Sequence, residues 1–398
     1  MARTLDHGRR MVAIPGPSVM PERVLAAMAR SMPNIYEGPL IDLSNGVLAE
    51  LPGIARTQGE VFVAISNGHG VWEMALTNTL SRGDRVLVLE SGIFAPGWGD
   101  MSEKLGLEVQ TVPASAGGHV DPDQFATVLQ EDTQHKIKAV LVAHVDTATS
   151  VRNDIPALRA ALDAAHHPAL FMVDCIASLA CERYEMDAWG VDLTIGATQK
   201  GLMVPPGVAF VWAGPRAMDA WEHADLRTGY WDWGPRDGDG PHYLRYCGTP
   251  PVHHLYALRE ALDMLAEEGL ENVWWRHQVL GGAVHAAIDA WSESGRLRHL
   301  IEDPQHRSYA VSTILCDDFS TDELRAYAEG HMGLVLGVNI VDDIPEAFRI
   351  GHMGHLNPPM ILGTLGTVES VLQRMGVNLP RSGVAAAAAH IAQLGFTQ

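Results

Sequence analysis

Val61-Phe-Val-Ala-Ile65-Ser-Asn-Gly-His-Gly70 joins a short apolar, β-rich run to a turn of small residues, and Gly70–Leu80 continues it with apolar positions at helical spacing. The alternation runs on: Arg85–Leu89 reads as a strand, Trp98–Leu105 as a helix and Glu108–Val112 as a strand. Ala139–Ala143, Leu170–Val173, Leu193–Ile195 and Val208–Trp212 continue the series, with helical patterns at Asp121–Gln130 and Asp154–Ala165. Strands that alternate with helices predict an α/β domain with a mostly parallel sheet covered on both faces. In such a sheet ligands sit in the loops beyond the carboxyl ends of the strands.

Further along, Thr249–Gly269 and Val273–Trp291 are two long helical patterns leading out of this domain. After Gly295 comes a smaller α+β pattern: strands at Tyr309–Leu315, Leu334–Leu336 and Phe348–Gly351, helices at Thr321–Gly330 and Pro358–Met375, then an alanine-rich helical tail, Val384–Leu394. The division expected is an N-terminal segment and large domain over residues 1–270 and a small C-terminal domain over residues 271–398, a length that supports two cores. The net charge of −20 argues against binding to nucleic acid or an anionic membrane surface. No apolar run approaches the roughly 20 residues of a bilayer span, and Met1–Arg10 lacks a secretory apolar core. Four cysteines without CxxC or metal spacing read as reduced thiols, so the expectation is a cytoplasmic protein without a metal.

Four features carry possible chemistry. Lys200 is one of only four lysines and lies in the apolar, glycine-rich Leu193-Thr-Ile-Gly-Ala-Thr-Gln-Lys200-Gly-Leu-Met-Val-Pro-Pro-Gly207. A lysine there either has a depressed pKa and serves as a Schiff-base amine, or snorkels to solvent or pairs with a carboxylate. Asp174 ends the apolar run Leu170-Phe-Met-Val and suits a cationic ring nitrogen, a metal, a helix N-cap or a core ion pair equally well. The turn Ser66-Asn-Gly-His-Gly70 is either a phosphate cradle at a helix N-terminus or only a turn; it is neither a P-loop nor a dinucleotide fingerprint. Arg349 offers a fork for a carboxylate, with a salt bridge to Asp342, Asp343 or Glu346 as the competing reading.

In this order the segments resemble the class V (fold-type I) pyridoxal-phosphate-dependent aminotransferases, in the alanine/serine–glyoxylate branch. The resemblance runs from Ile14-Pro-Gly-Pro-Ser18 to Phe348-Arg-Ile-Gly-His-Met-Gly354, and Thr198-Gln-Lys200 with Pro205-Pro-Gly207 is its most specific part. It implies a large domain with a mostly parallel seven-stranded sheet and a small α+β domain. It also implies pyridoxal 5′-phosphate on Lys200, with Asn67, Gly68 and His69 at the phosphate and Phe94 and Ile176 on the ring faces. Thr147 then lies near the phenolic oxygen, Asp174 at the ring nitrogen and Gln199 at the phosphate or ring. Tyr246 and Thr249 reach the phosphate of a neighbouring subunit, which implies a homodimer with shared active sites. Arg349 binds the substrate carboxylate and Gly16 borders the substrate. The reaction implied is ping-pong transfer of an amino group from serine, alanine or aspartate to a 2-oxo acid such as glyoxylate.

The chain departs from that pattern at Ser31–Gly38, which lacks a His-Arg-Ser element, and at the acidic Gly337–Ile344. Arg227, Trp231-Asp-Trp233 and Arg236 read as an aromatic wall or second carboxylate site, or as a plain surface loop. Within the fold the alternatives are a pyridoxamine–pyruvate-type transaminase, which shares Arg349–Gly354, and a lyase or desulfurase. The last needs a cysteine on a mobile loop, whereas Cys316 falls on a predicted strand. A cofactor-free binding protein remains the non-enzymatic reading.

Overall fold

The computed structural model describes residues 4–238, 240–344 and 346–394. Its strands are β1 (Met11–Ala13), β2 (Glu60–Ala64), β3 (Arg85–Leu89), β4 (Glu108–Val112), β5 (Ile137–Ala143), β6 (Leu170–Asp174), β7 (Leu193–Ala197), β8 (Ala209–Ala213), β9 (Leu297–His299), β10 (Val311–Cys316), β11 (Leu334–Val338) and β12 (Ala347–Gly351). Seven of them make one sheet in the order β2-β8-β7-β6-β5-β3-β4. In it β4, β3, β5, β6 and β7 pair in parallel, and β8 runs against both its neighbours, β7 and β2. The mostly parallel seven-stranded sheet is the one the alternating pattern predicts.

Successive residues of a strand point to opposite faces, and here both faces are apolar. Leu87, Leu89, Val140, Val142, Phe171 and Val173 pack into one core, while Val86, Val88, Ala139, Leu141 and Met172 pack into another. Helices must cover each face, because a side chain such as Leu87 or Phe171 contributes about 1.5–3 kcal/mol only when taken out of water. Between strand and helix, the chain has to turn at the carboxyl edge, and that edge is where the polar residues collect.

The second sheet has the order β1-β11-β12-β10-β9 and packs on its own core around Ala287, Trp291, Phe348, Ile350 and Leu365. Its first strand, β1, pairs in parallel with β11 from the other end of the chain. Sequence reading left β1 and β9 unassigned, since three residues are too few to show a period. It also passed over the helices Glu22–Met28, Pro39–Ala55 and Pro215–His223. Ile14–Ser18 follows β1 and crosses from this sheet to the loop after β7, where the Ser18 N–H donates to the Gln199 carbonyl at 2.9 Å and its hydroxyl to the Lys200 carbonyl at 2.7 Å. No described helix is long and apolar enough to cross a membrane.

Candidate active site

A cavity of about 260 Å³ opens at the carboxyl edge of the large sheet. The loop after β2 brings Asn67, Gly68 and His69 to it, that after β3 brings Phe94, and that after β5 brings Thr147. Asp174 and Ile176 come from the end of β6, Gln199 and Lys200 from the loop after β7, and Gly16 from the N-terminal crossing. Ten residues singled out in the sequence, spread over 185 positions, thus line one cavity.

Lys200 is half-buried and its Nζ donates to the Pro15 carbonyl. It is neither snorkelling nor in an ion pair among the described residues. Burial pushes its amine down to about 8, the nearby Arg349 guanidinium pushes the same way, and Asp174 opposes. Asp174 is 5% exposed. One oxygen accepts from Trp72 Nε1 and the other from the Ile176 N–H, each at 2.8 Å. No cation pairs with it among the described residues, and burial pushes its carboxyl up to about 6. A buried carboxylate so placed is short of a positive partner.

The turn at Ser66–Gly70 opens the helix Gly68–Thr79, whose Asn67 cap makes no side-chain hydrogen bond to it. The first N–H groups of that helix have no intrahelical partner and suit an anion. Gly68 packs closely on Ile176: a Cβ there would meet the end of the Ile176 side chain, which would have to move. Gln199 adds a buried Oε1 with no hydrogen-bond partner among the described residues.

Arg349, 7% exposed on β12, stands beside the cavity. Its Nε donates to the Val338 carbonyl and its Nη1 to the Thr147 carbonyl, both at 2.7 Å. The expected competitor, a salt bridge with Asp342, Asp343 or Glu346, does not form among the described residues. Glu346 accepts instead from the Thr321 N–H and hydroxyl, at 2.7 Å each. Burial pushes the Arg349 guanidinium down to about 10, with the Asp146 charge opposing and Arg325 adding to the effect.

Like Arg349, two further predicted residues do not line the cavity. Tyr246 is buried with its hydroxyl bonded to Ser44, and Thr249 is exposed. In the Arg227–Arg236 segment, residues 227–230 are exposed and Trp231 and Asp232 are half-buried. Arg236 is buried and spends its Nη groups on the Val63, Arg245 and Tyr230 carbonyls, and Trp233 is buried and stacked on Phe62 at 4.7 Å. Arg236 and Trp233 thus brace β2 from inside, and at these two positions the surface-loop and second-carboxylate-site readings are corrected. Cys316 is buried on β10 with its thiol pushed up by burial, which does not suit a mobile nucleophile. His352 is buried against Ser312 and Tyr309 and His355 is exposed.

Sequence reasoning missed Trp72 and Asp146. Trp72 lies four residues after Gly68 and so on the same helix face, a spacing that would have revealed it. Phenylalanine at position 72 keeps the ring and removes the donor to Asp174. A hydrogen bond to a charged group contributes about 1.5–3 kcal/mol, so W72F is expected to weaken binding of pyridoxal phosphate to the apoenzyme by about tenfold or more. Fluorescence titration reads this directly, and an unchanged affinity would show that Asp174 needs no such support.

These groups fit a phosphorylated pyridine aldehyde: an amine of lowered basicity, an unpaired carboxylate for a ring nitrogen, apolar side chains from Phe94 and Ile176 for the ring, and an open helix N-terminus for the phosphate. The chain matches the family model "Aminotransferase class-V" over residues 63–334. It is 37% identical to a serine–glyoxylate aminotransferase of Methylorubrum extorquens, covering 98% of both chains. It is 38% identical to an L-aspartate–glyoxylate aminotransferase of Paracoccus denitrificans, covering 96% of both. The solved pyridoxamine–pyruvate aminotransferase from Mesorhizobium loti superposes with a TM-score of 0.89 at 23% identity, over 98% of this chain and all of that one, a likeness of fold. The lysine, its carboxylate and the family match together assign the chain to the class-V aminotransferases, as a pyridoxal-phosphate-dependent transaminase.

Proposed function

We propose that this transaminase moves the amino group of a small amino acid (serine, alanine or aspartate) to glyoxylate, and that it works in the cytoplasm as a homodimer with shared active sites. The observation that carries the reading is the pairing of Lys200, an amine pushed down to about 8, with Arg349, a buried guanidinium free of any ion pair among the described residues. The names of the relatives supply the amino-acid and glyoxylate substrates.

Pyridoxal phosphate, when bound, supplies a cationic ring into which the electrons of the substrate Cα–H bond can spread. Lys200 would anchor its aldehyde end, and its amine, once freed, would be the base that takes the substrate Cα proton and the acid that gives it back. An amine near 8 is partly unprotonated at neutral pH and serves as base and acid in turn. Asp174 would hold the ring-nitrogen proton in place. The N–H groups of the Gly68–Gly70 turn, Asn67, His69 and Gln199 would take the phosphate, while Phe94 and Ile176 enclose the ring and Thr147 borders its phenolic oxygen. Arg349 would take the substrate carboxylate, and Gly16, without a side chain, leaves room beside Lys200. Thr249, being exposed, is available to a second copy. The Tyr246 hydroxyl is engaged with Ser44 and is not assigned to the phosphate.

The test is the visible absorbance of purified protein titrated with serine, alanine and aspartate, then with glyoxylate. The expected result is a yellow band that one donor bleaches and glyoxylate restores. A band bleached by none of the three, or one bleached without needing a 2-oxo acid to turn over, would overturn the assignment.

A further inference from the structure

Asp146 is a buried charge of the site that no step above uses. It is 0% exposed and makes no ion pair among the described residues. One oxygen accepts from the Ile93 N–H at 2.9 Å and the Phe94 N–H at 3.0 Å. The other accepts from the Ala148 N–H at 2.8 Å, the Thr149 N–H at 3.1 Å and the Thr149 hydroxyl at 3.4 Å. Four of these partners are N–H donors, while the Thr149 hydroxyl also donates to the Ser91 carbonyl at 3.1 Å and can accept as well as donate. Burial pushes its pKa up, and the hydrogen bonds from the four N–H groups push it back down. What balances the charge is the set of four N–H dipoles, two of them opening the helix Phe94–Lys104, whose own cap residue offers no side chain to it.

The consequence is geometric. The loop after β3 carries Phe94 and the loop after β5 carries Thr147, and one carboxylate holds both. The Thr147 carbonyl in turn receives Arg349 Nη1 at 2.7 Å. The Arg349 fork is therefore aimed by a carbonyl whose own position depends on the Asp146 turn. Gly92 fits the same design: at φ +157° its backbone passes so close that a Cβ would run into the Asp146 carboxylate.

We propose that Asp146 is the positioning residue of the substrate-carboxylate site, setting Arg349 through Thr147. It touches neither substrate nor cofactor. The inference rests on reading Arg349 as the carboxylate binder.

Asp146→Asn keeps the shape but turns one oxygen into an amide nitrogen facing two N–H donors. Displacements of the order of 1 Å can cost about 100-fold. Under saturating pyridoxal phosphate, the KM values for the amino donor and for glyoxylate are expected to rise together toward that factor, with kcat changing far less. In the apoenzyme, hydrogen exchange of the Ile93, Phe94, Ala148 and Thr149 amides is expected to speed up by about tenfold or more, the equivalent of 1.4 kcal/mol. KM values and exchange rates within about twofold of the wild type would overturn the proposal. Should D146N fail to fold, Gly92→Ala decides the matter: it displaces the carboxylate while keeping every charge, and the same parallel rise in KM is required. Arg349→Ala is measured alongside. If it leaves KM unchanged, the reading of Arg349 falls; if it raises KM and the Asp146 and Gly92 variants do not, only the role of Asp146 falls.

Discussion

Replacing Lys200 by alanine is expected to abolish transamination and to remove the yellow band of the bound cofactor. Positioned acid–base catalysis alone contributes about 10²–10⁴-fold, and the same side chain would also anchor the cofactor, so the loss in turnover is expected to exceed about 10⁴-fold. Nothing nearby can stand in: Lys104, Lys136 and Lys138 are all exposed, away from the cavity. Arginine is no substitute, because its guanidinium stays protonated and cannot give up the lone pair that the chemistry needs. Turnover of the alanine variant under saturating pyridoxal phosphate, with the absorbance spectrum beside it, is the measurement. Retention of more than about a hundredth of the wild-type rate would mean that the base lies elsewhere.

Arg349→Ala has the second largest expected effect, and it falls on binding. In a ping-pong reaction the amino acid and the 2-oxo acid occupy the same site in turn, so one guanidinium meets both carboxylates. Truncating one partner of a buried charge pair costs about 2–5 kcal/mol, and each 1.4 kcal/mol is tenfold. KM for the donor and for glyoxylate are therefore expected to rise in parallel by well over tenfold, with a smaller change in kcat. Lysine at 349 is expected to recover little, since it cannot keep the Val338 and Thr147 carbonyls and offer a planar fork at once. A rise in KM confined to one substrate would mean that the two acids bind at different places.

The reach of sequence reasoning follows the range of each signal. The strands Arg85–Leu89 and Glu108–Val112 could be read to the residue, and the rest of the large sheet nearly so, because an apolar run between turn residues is visible within a window of ten positions. Lys200 and Asp174 stood out for a related reason: a lone charge in an apolar stretch conflicts with its own surroundings. The turn Ser66–Gly70 was legible as small residues between a strand and a helix. The joining of β1 to β11 was not legible, since the two lie more than 300 positions apart and neither carries a mark of the other.

The same limit explains the misreading of Arg236 and Trp233. Residue type said cation and aromatic ring, and only the folded chain showed their polar and apolar partners to be the Val63 carbonyl and Phe62. Asp146 was passed over because its significance lies in four N–H groups from two loops, which come together only when β3 and β5 pair. The sequence by itself determined the class of fold and marked Lys200 and Asp174 as charges in apolar stretches, because each is written in local contrast between apolar and polar residues; their roles came from the resemblance to the class V aminotransferases. The tertiary structure alone decided which acceptors Arg349 found, which chain end completed the second sheet and which buried charge braces the site. Those outcomes depend on hydrogen-bond partners that no stretch of neighbouring residues contains.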